Sequence, residues 1–156
     1  MVIEPGAADA YYYIGESYRF LGDNAKALDA YNAAIQSNAS FAPGYLGQAL
    51  ALEALDFETD VISYLDQAIQ LDPQFAAAYL ERGRQRIEHG DPQAALDDLE
   101  RADSLSPDSP LVYLYRAQAQ MALGRYDEAL ASVKKANALD ITLLPAYLVL
   151  GQAYSA

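Results

Sequence analysis

The chain has 156 residues, 53% of them hydrophobic, and 22 acidic against 10 basic side chains give it a formal net charge of −12. That excess of carboxylates argues against nucleic acid, whose phosphates need Lys and Arg in place of condensed counterions, and favours basic partners or plain solubility. No run approaches the ~18 apolar residues of a membrane span, the N-terminus lacks the basic and apolar segments of a secretory signal, and the absence of cysteine rules out disulfides and thiol chemistry.

The missing cysteines agree with a reducing cytoplasm, the expected compartment, without excluding an exported domain. Tyr11, Tyr45, Tyr79, Tyr113 and Tyr147 recur every 34 residues, the mark of one supersecondary unit stacked on itself. Residues 1–7 read as the tail of a preceding repeat or a linker. Four units follow, over 8–41, 42–75, 76–109 and 110–143, and 144–156 begins a truncated fifth.

The first unit predicts helices over 9–21 and 25–37, broken at Gly22. The second predicts 43–55 and 59–71, opened by Pro43 and broken at Asp56. In the third, 77–89 ends at Gly90 and 93–105 is opened by Pro92 after Asp91. In the fourth, Pro110 opens 111–123 and Gly124 separates it from 127–139, while Pro145 opens a last helix over 145–155. Pro5, Pro73 and Pro107 share the position after second helices, so no proline falls inside a helix, where it would cost ~3 kcal/mol. Four residues after each tyrosine stand Gly15, Ala49, Gly83, Ala117 and Gly151, small enough for close helix approach. In the eighth helix Tyr126, Ala129, Leu130, Val133, Ala136 and Asn137 follow one face, with Asp127, Lys134 and Lys135 turned toward water. The short connections make successive helices antiparallel neighbours.

These residues resemble the tetratricopeptide repeat, whose pattern runs aromatic, Leu-Gly, Tyr, Ala, aromatic and Pro over 34 residues. The first unit supplies Tyr11, Ile14-Gly15, Tyr18, Ala27 and Tyr31, departing where Ala39 replaces Pro. The fourth supplies Arg116-Ala117 and the run Gly124-Arg125-Tyr126-Asp127-Glu128-Ala129-Leu130. Pentatricopeptide arrays, which bind RNA, would be more basic, and the Thr-Pro-Leu-His signature of ankyrin repeats is absent. The resemblance implies an all-α fold, a right-handed α-solenoid of antiparallel helix pairs with about four and a half repeats and nine helices.

It also implies a concave groove lined by first helices. By register the groove takes Tyr12, Tyr13, Glu16, Arg19 and Phe20, then Leu46, Leu50 and Glu53, then Leu80, Glu81, Arg84 and Ile87. Leu114, Tyr115, Gln118 and Leu148 complete it. The expected guest is a protein or peptide, an apolar or basic-amphipathic segment. An acidic chaperone tail is not expected, because the positions matching that clamp hold Tyr12, Glu16, Gly47, Ala77 and Glu81, or one repeat on Leu46, Leu50, Glu81, Leu111 and Tyr115. Neither set supplies the cations. Taken singly, Tyr12, Leu46, Leu80 and Leu114 read as scaffold packed between first helices.

Arg82 and Arg116 stand where the family places Leu, and their stems are expected between paired helices with the head groups on acidic partners, Asp98 for Arg82. His89 reads as a surface turn residue. No phosphate loop, nucleotide fingerprint or zinc pattern appears, and no carboxylate sits in an evident cleft. The expectation is therefore a non-enzymatic scaffold without cofactor, metal, nucleic acid or membrane. The alternative is an assembly element stacking end to end through apolar terminal helices. Ile3-Glu4-Pro5 matches the register of Leu71-Asp72-Pro73, and Ala156 stops short of the next expected glycine, so a fragment of a longer array is expected.

Overall fold

A computed structural model describes residues 6–55, 60–142 and 144–155, and every regular element among them is a helix. They are α1 (Ala7–Phe20), α2 (Asn24–Ser37), α3 (Ala42–Ala54), α4 (Val61–Leu71), α5 (Ala76–Glu88), α6 (Pro92–Leu105), α7 (Pro110–Ala122), α8 (Tyr126–Leu139) and α9 (Leu144–Ser155). The expected bounds agree to within two residues. Most helices begin one residue early, because Pro43, Pro92 and Pro110 lie inside the first turn, where a missing N–H costs nothing. The expectations on Pro5, Asp56, Thr59 and Leu143 lie outside the described residues.

Each turn has a local cause. Gly22, Gly90 and Gly124 adopt positive φ of 78°, 79° and 71°. That left-handed residue lets the next N–H reach back across the helix end: Asp23 N to Tyr18 O at 2.9 Å, and Asp91 N to Arg86 O and Arg125 N to Gln120 O at 2.8 Å each. Asp23, Asp60 and Asp91 then cap the second helices, each accepting a backbone N–H through Oδ1. Between units the chain leaves the helix in extended geometry at Asn38, Asp72 and Asp140. Their side-chain oxygens accept from the N–H two residues on, at 3.0, 2.9 and 2.8 Å.

Two compact units result, over residues 1–78 and 79–156. In the first, α1 packs on α2 and α3, α2 on α3, and α3 on α4. Tyr31 of α2 is wholly buried, and its ring fills space left by two glycines. A Cβ on Gly15 would lie 2.5 Å from the ring, and one on Gly47 would lie 2.4 Å from it. Gly15, the small residue after the first register tyrosine, is thus a socket for a large side chain, as Gly83 is for Leu99. Leu65 of α4 is buried in the same way against Leu46 and Ala49 of α3.

In the second unit α6 packs on α7, α7 on α8 and α9, and α8 on α9. Leu99 and Ala102 of α6 meet Val112 of α7, while Val133 and Ala136 of α8 meet Tyr113, Leu114 and Ala117 of α7 and Val149 of α9. The α8 face is as expected for Ala129, Val133 and Ala136, but Tyr126 is exposed. It is the first residue of the helix, and helical side chains lean toward the N-terminus, so its ring projects past the end of the core. Arg82 reaches Asp98 as expected, with Nε at 2.9 Å and Nη2 at 2.6 Å from the two carboxylate oxygens. Arg86 joins the same carboxylate at 2.8 Å, leaving Asp98 only 3% exposed between two guanidiniums. Arg116 approaches Asp103 at 3.7 Å.

Candidate interaction surface

On α1, Tyr12, Glu16 and Arg19 follow one another at helical spacing. Tyr12 is half-buried and sits among aromatic rings, with centroids at 5.6 Å to Tyr13, 5.9 Å to Tyr31 and 5.8 Å to Phe41. Burial pushes its phenol pKa upward, helped by the Glu16 charge. Glu16 accepts from Arg19 Nε at 3.2 Å and Nη2 at 2.8 Å, and from the Tyr31 hydroxyl at 2.5 Å. The Arg19 hydrogen bonds hold the Glu16 carboxyl below the usual carboxylate range, against its partial desolvation and with help from Tyr31. Tyr31 is in turn raised, first by burial and then by donating to that carboxylate.

Beside this charged cluster lies a shallow hollow of about 530 Å³ lined by Tyr12, Tyr13, Glu16, Ser17 and Phe20. Its apolar walls are open to solvent: Tyr13 is 68% and Phe20 90% exposed. On α3, Leu50 is half-buried at the edge of the Leu46 cluster, and Glu53 is half-buried. Leu46 itself is packed inside, as the scaffold reading expects.

In the second unit, Leu80, Ile87 and Tyr115 are half-buried against Leu99 and Val112, and Gln118 is half-buried on α7. Arg84 bonds to Glu81 through Nε at 2.7 Å and to Glu88 through Nη1 at 2.6 Å. Leu114 is interior, whereas Leu148 on α9 is 72% exposed. The structure therefore groups Tyr12, Tyr13, Glu16 and Phe20 around one hollow and sets Leu80, Ile87 and Tyr115 around another apolar cluster. Leu46 and Leu114 can shape these surfaces only from beneath.

Sequence reasoning missed two features. Arg19 and Arg84 spend their charge on carboxylates of their own helices, signalled by the three- and four-residue spacings Glu16/Arg19, Glu81/Arg84 and Arg84/Glu88. Tyr31 reaches across two helices, signalled by the glycine sockets at Gly15 and Gly47. Among the described residues no group of three or more His, Asp or Glu side chains could hold a metal ion. Among the same residues no helix is long and apolar enough to cross a membrane. His89 is exposed, with Nδ1 2.7 Å from the Gln85 carbonyl oxygen.

Three sequence models of the tetratricopeptide repeat match the chain, over residues 9–39, 46–110 and 86–140. No curated protein matches it in sequence. Among solved structures, the protein MamA is 25% identical with a TM-score of 0.78, covering 96% of this chain and 82% of its own. YrrB, described as a tetratricopeptide repeat protein with an unusual peptide-binding site, is 19% identical with a TM-score of 0.74, covering 93% and 75%. PilW, a type IV pilus biogenesis factor, is 17% identical with a TM-score of 0.89, covering 97% and 70%.

Proposed function

The chain belongs to the tetratricopeptide repeat family, and from that premise we propose that this protein-interaction scaffold receives a peptide or partner helix on its first helices. The observation that carries this reading is the α1 hollow, where Tyr13 and Phe20 stand open to water while the adjacent Glu16 and Arg19 are already paired. Open aromatics beside neutralised charge favour an apolar anchor over an electrostatic one. Arg84, held by Glu81 and Glu88, repeats that arrangement on α5.

The guest is therefore an apolar or weakly basic amphipathic segment that inserts large side chains against Tyr13, Phe20 and Leu50. An acidic tail would meet the Glu16 carboxylate, whose neighbour Arg19 is already paired with it. YrrB, whose description names a peptide-binding site, supports a peptide as one class of guest.

The test is selection of peptides from a displayed library on the wild-type chain. Binding is then measured on Phe20→Glu and on Leu50→Glu. Selected peptides should carry large apolar residues and lose at least about tenfold in affinity on either variant, a change of ~1.4 kcal/mol. Far-UV circular dichroism must show unchanged helix content. Acidic consensus peptides, or equal binding to folded variants, would refute the proposal.

A further inference from the structure

The connection between α6 and α7 is held differently from its register mates. The chain leaves α6 at Ser106 in extended geometry, as it leaves the other second helices at Asn38, Asp72 and Asp140. Those three side chains each accept from the N–H two residues on, whereas among the described residues the Ser106 hydroxyl makes no such bond. Phe41 N donates to Asn38 O and Phe75 N to Asp72 O at 3.1 Å each, but Ser109, the matching residue, makes no such bond to Ser106. Tyr45 and Tyr147 donate their hydroxyls to the loop carbonyls of Ala39 and Ile141, at 3.1 Å each. Tyr113 gives its hydroxyl proton to the Asp103 carboxylate instead, at 2.8 and 2.9 Å. Pro107 and Pro110 bring no N–H that could replace these tethers.

Asp108 takes up the difference. Its φ of 62° is the one positive value among the described non-glycine residues, a left-handed conformation that Asp adopts only at some cost. Its Oδ1 lies 3.2 Å from Nζ of Lys135 on α8. The same ammonium donates to the Tyr113 hydroxyl at 2.7 Å and lies 4.2 Å from the centre of that ring. Arg116 is engaged on the Tyr113 ring and with Asp103, at 3.7 Å.

We propose that residues 106–109 form a strap latched from α8 by Lys135, a conformational device built into the fourth repeat. One ion pair replaces the bonds Ser40 N to Asn38 Oδ1, Phe41 N to Asn38 O and Tyr45 Oη to Ala39 O of the first connection. With its side chains 48% and 64% exposed, that pair competes with water and is screened by salt. Release frees the last turn of α6 and the first turn of α7, where Tyr113 N reaches Ser109 O only at 3.5 Å. The α6–α7 junction is then the place where this unit opens locally when the Lys135 charge is lost or screened. The latch is independent of guest binding, since none of its residues lines the α1 hollow.

Residue-resolved amide hydrogen exchange on the full chain tests the latch. The N–H groups of Ser106 and Asn38 are matched probes, each bonded to the carbonyl four residues back at 2.9 Å. Lys135→Met and Asp108→Asn should each raise Ser106 exchange at least about threefold, as loss of an exposed pair allows, and leave Asn38 unchanged. The two substitutions move net charge in opposite directions, so a shared rise excludes long-range repulsion as its cause. The double variant should rise no further than the larger single. Unchanged Ser106 exchange, a rise in only one single variant, or an additive double variant overturns the proposal. An equal rise at Asn38 would mark loss of global stability and overturns it as well.

Discussion

Glu16 ties α1 to α2, because its carboxylate accepts from Arg19 on its own helix and from Tyr31 on α2. Its folded pKa lies below the unfolded value, chiefly through the Arg19 bonds. The stabilisation is therefore fully present above the unfolded carboxylate value of about 4.3 and is lost as pH falls through the folded pKa. Urea midpoints measured from pH 7 down to pH 3 should show that loss. Tyr31→Phe removes one donor without altering the ring, so it should lower stability at pH 7 by about 1.5 kcal/mol and flatten the acid limb. An acid limb as steep as in the wild-type chain would mean that Glu16 is held by Arg19 alone.

At the scale of the helix, Gly47 and Gly151 make a controlled pair. Both lie within helices, where alanine is intrinsically better than glycine by about 1 kcal/mol. A Cβ on Gly47 would press into the wholly buried Tyr31 ring at 2.4 Å, while a Cβ on Gly151 meets nothing within 4 Å. Gly151→Ala should therefore raise the thermal midpoint, and Gly47→Ala should lower stability by about 1–2 kcal/mol through overpacking. Equal effects would show that Tyr31 can leave its socket. The same contrast marks what could be read beforehand. Helix ends were legible because Pro43, Pro92, Pro110 and the turn glycines act through local backbone geometry, which sequence states directly. The Arg82–Asp98 pair was legible from register, but Arg86 on the same carboxylate was not, since a third partner depends on how α5 and α6 are rotated. The exposure of Tyr126 and the aromatic hollow of α1 were hidden for a related reason. Periodicity assigns a residue to a face, whereas exposure depends on whether another element continues far enough to cover it.

Across the whole chain, charge acts at two ranges with opposite signs. Arg19, Lys26, Arg82, Arg84, Arg86 and Lys135 each lie within 3.2 Å of a carboxylate oxygen, so attraction is concentrated in short contacts. The formal charge of −12 that remains is spread over carboxylates repelling one another at longer distances. Screening removes the long-range part first, since the Debye length is about 30 Å at 0.01 M salt and about 8 Å at 0.15 M. Raising sodium chloride across that interval should therefore increase the urea midpoint. The gain should level off near about 1 M, where a Debye length of ~3 Å reaches the ion pairs themselves. Urea is the proper denaturant because guanidinium chloride would impose its own ionic strength. A midpoint that falls with the first additions of salt would show that paired contacts outweigh the residual repulsion. In that case the acidic excess would be a solvated surface with no measurable cost to folding.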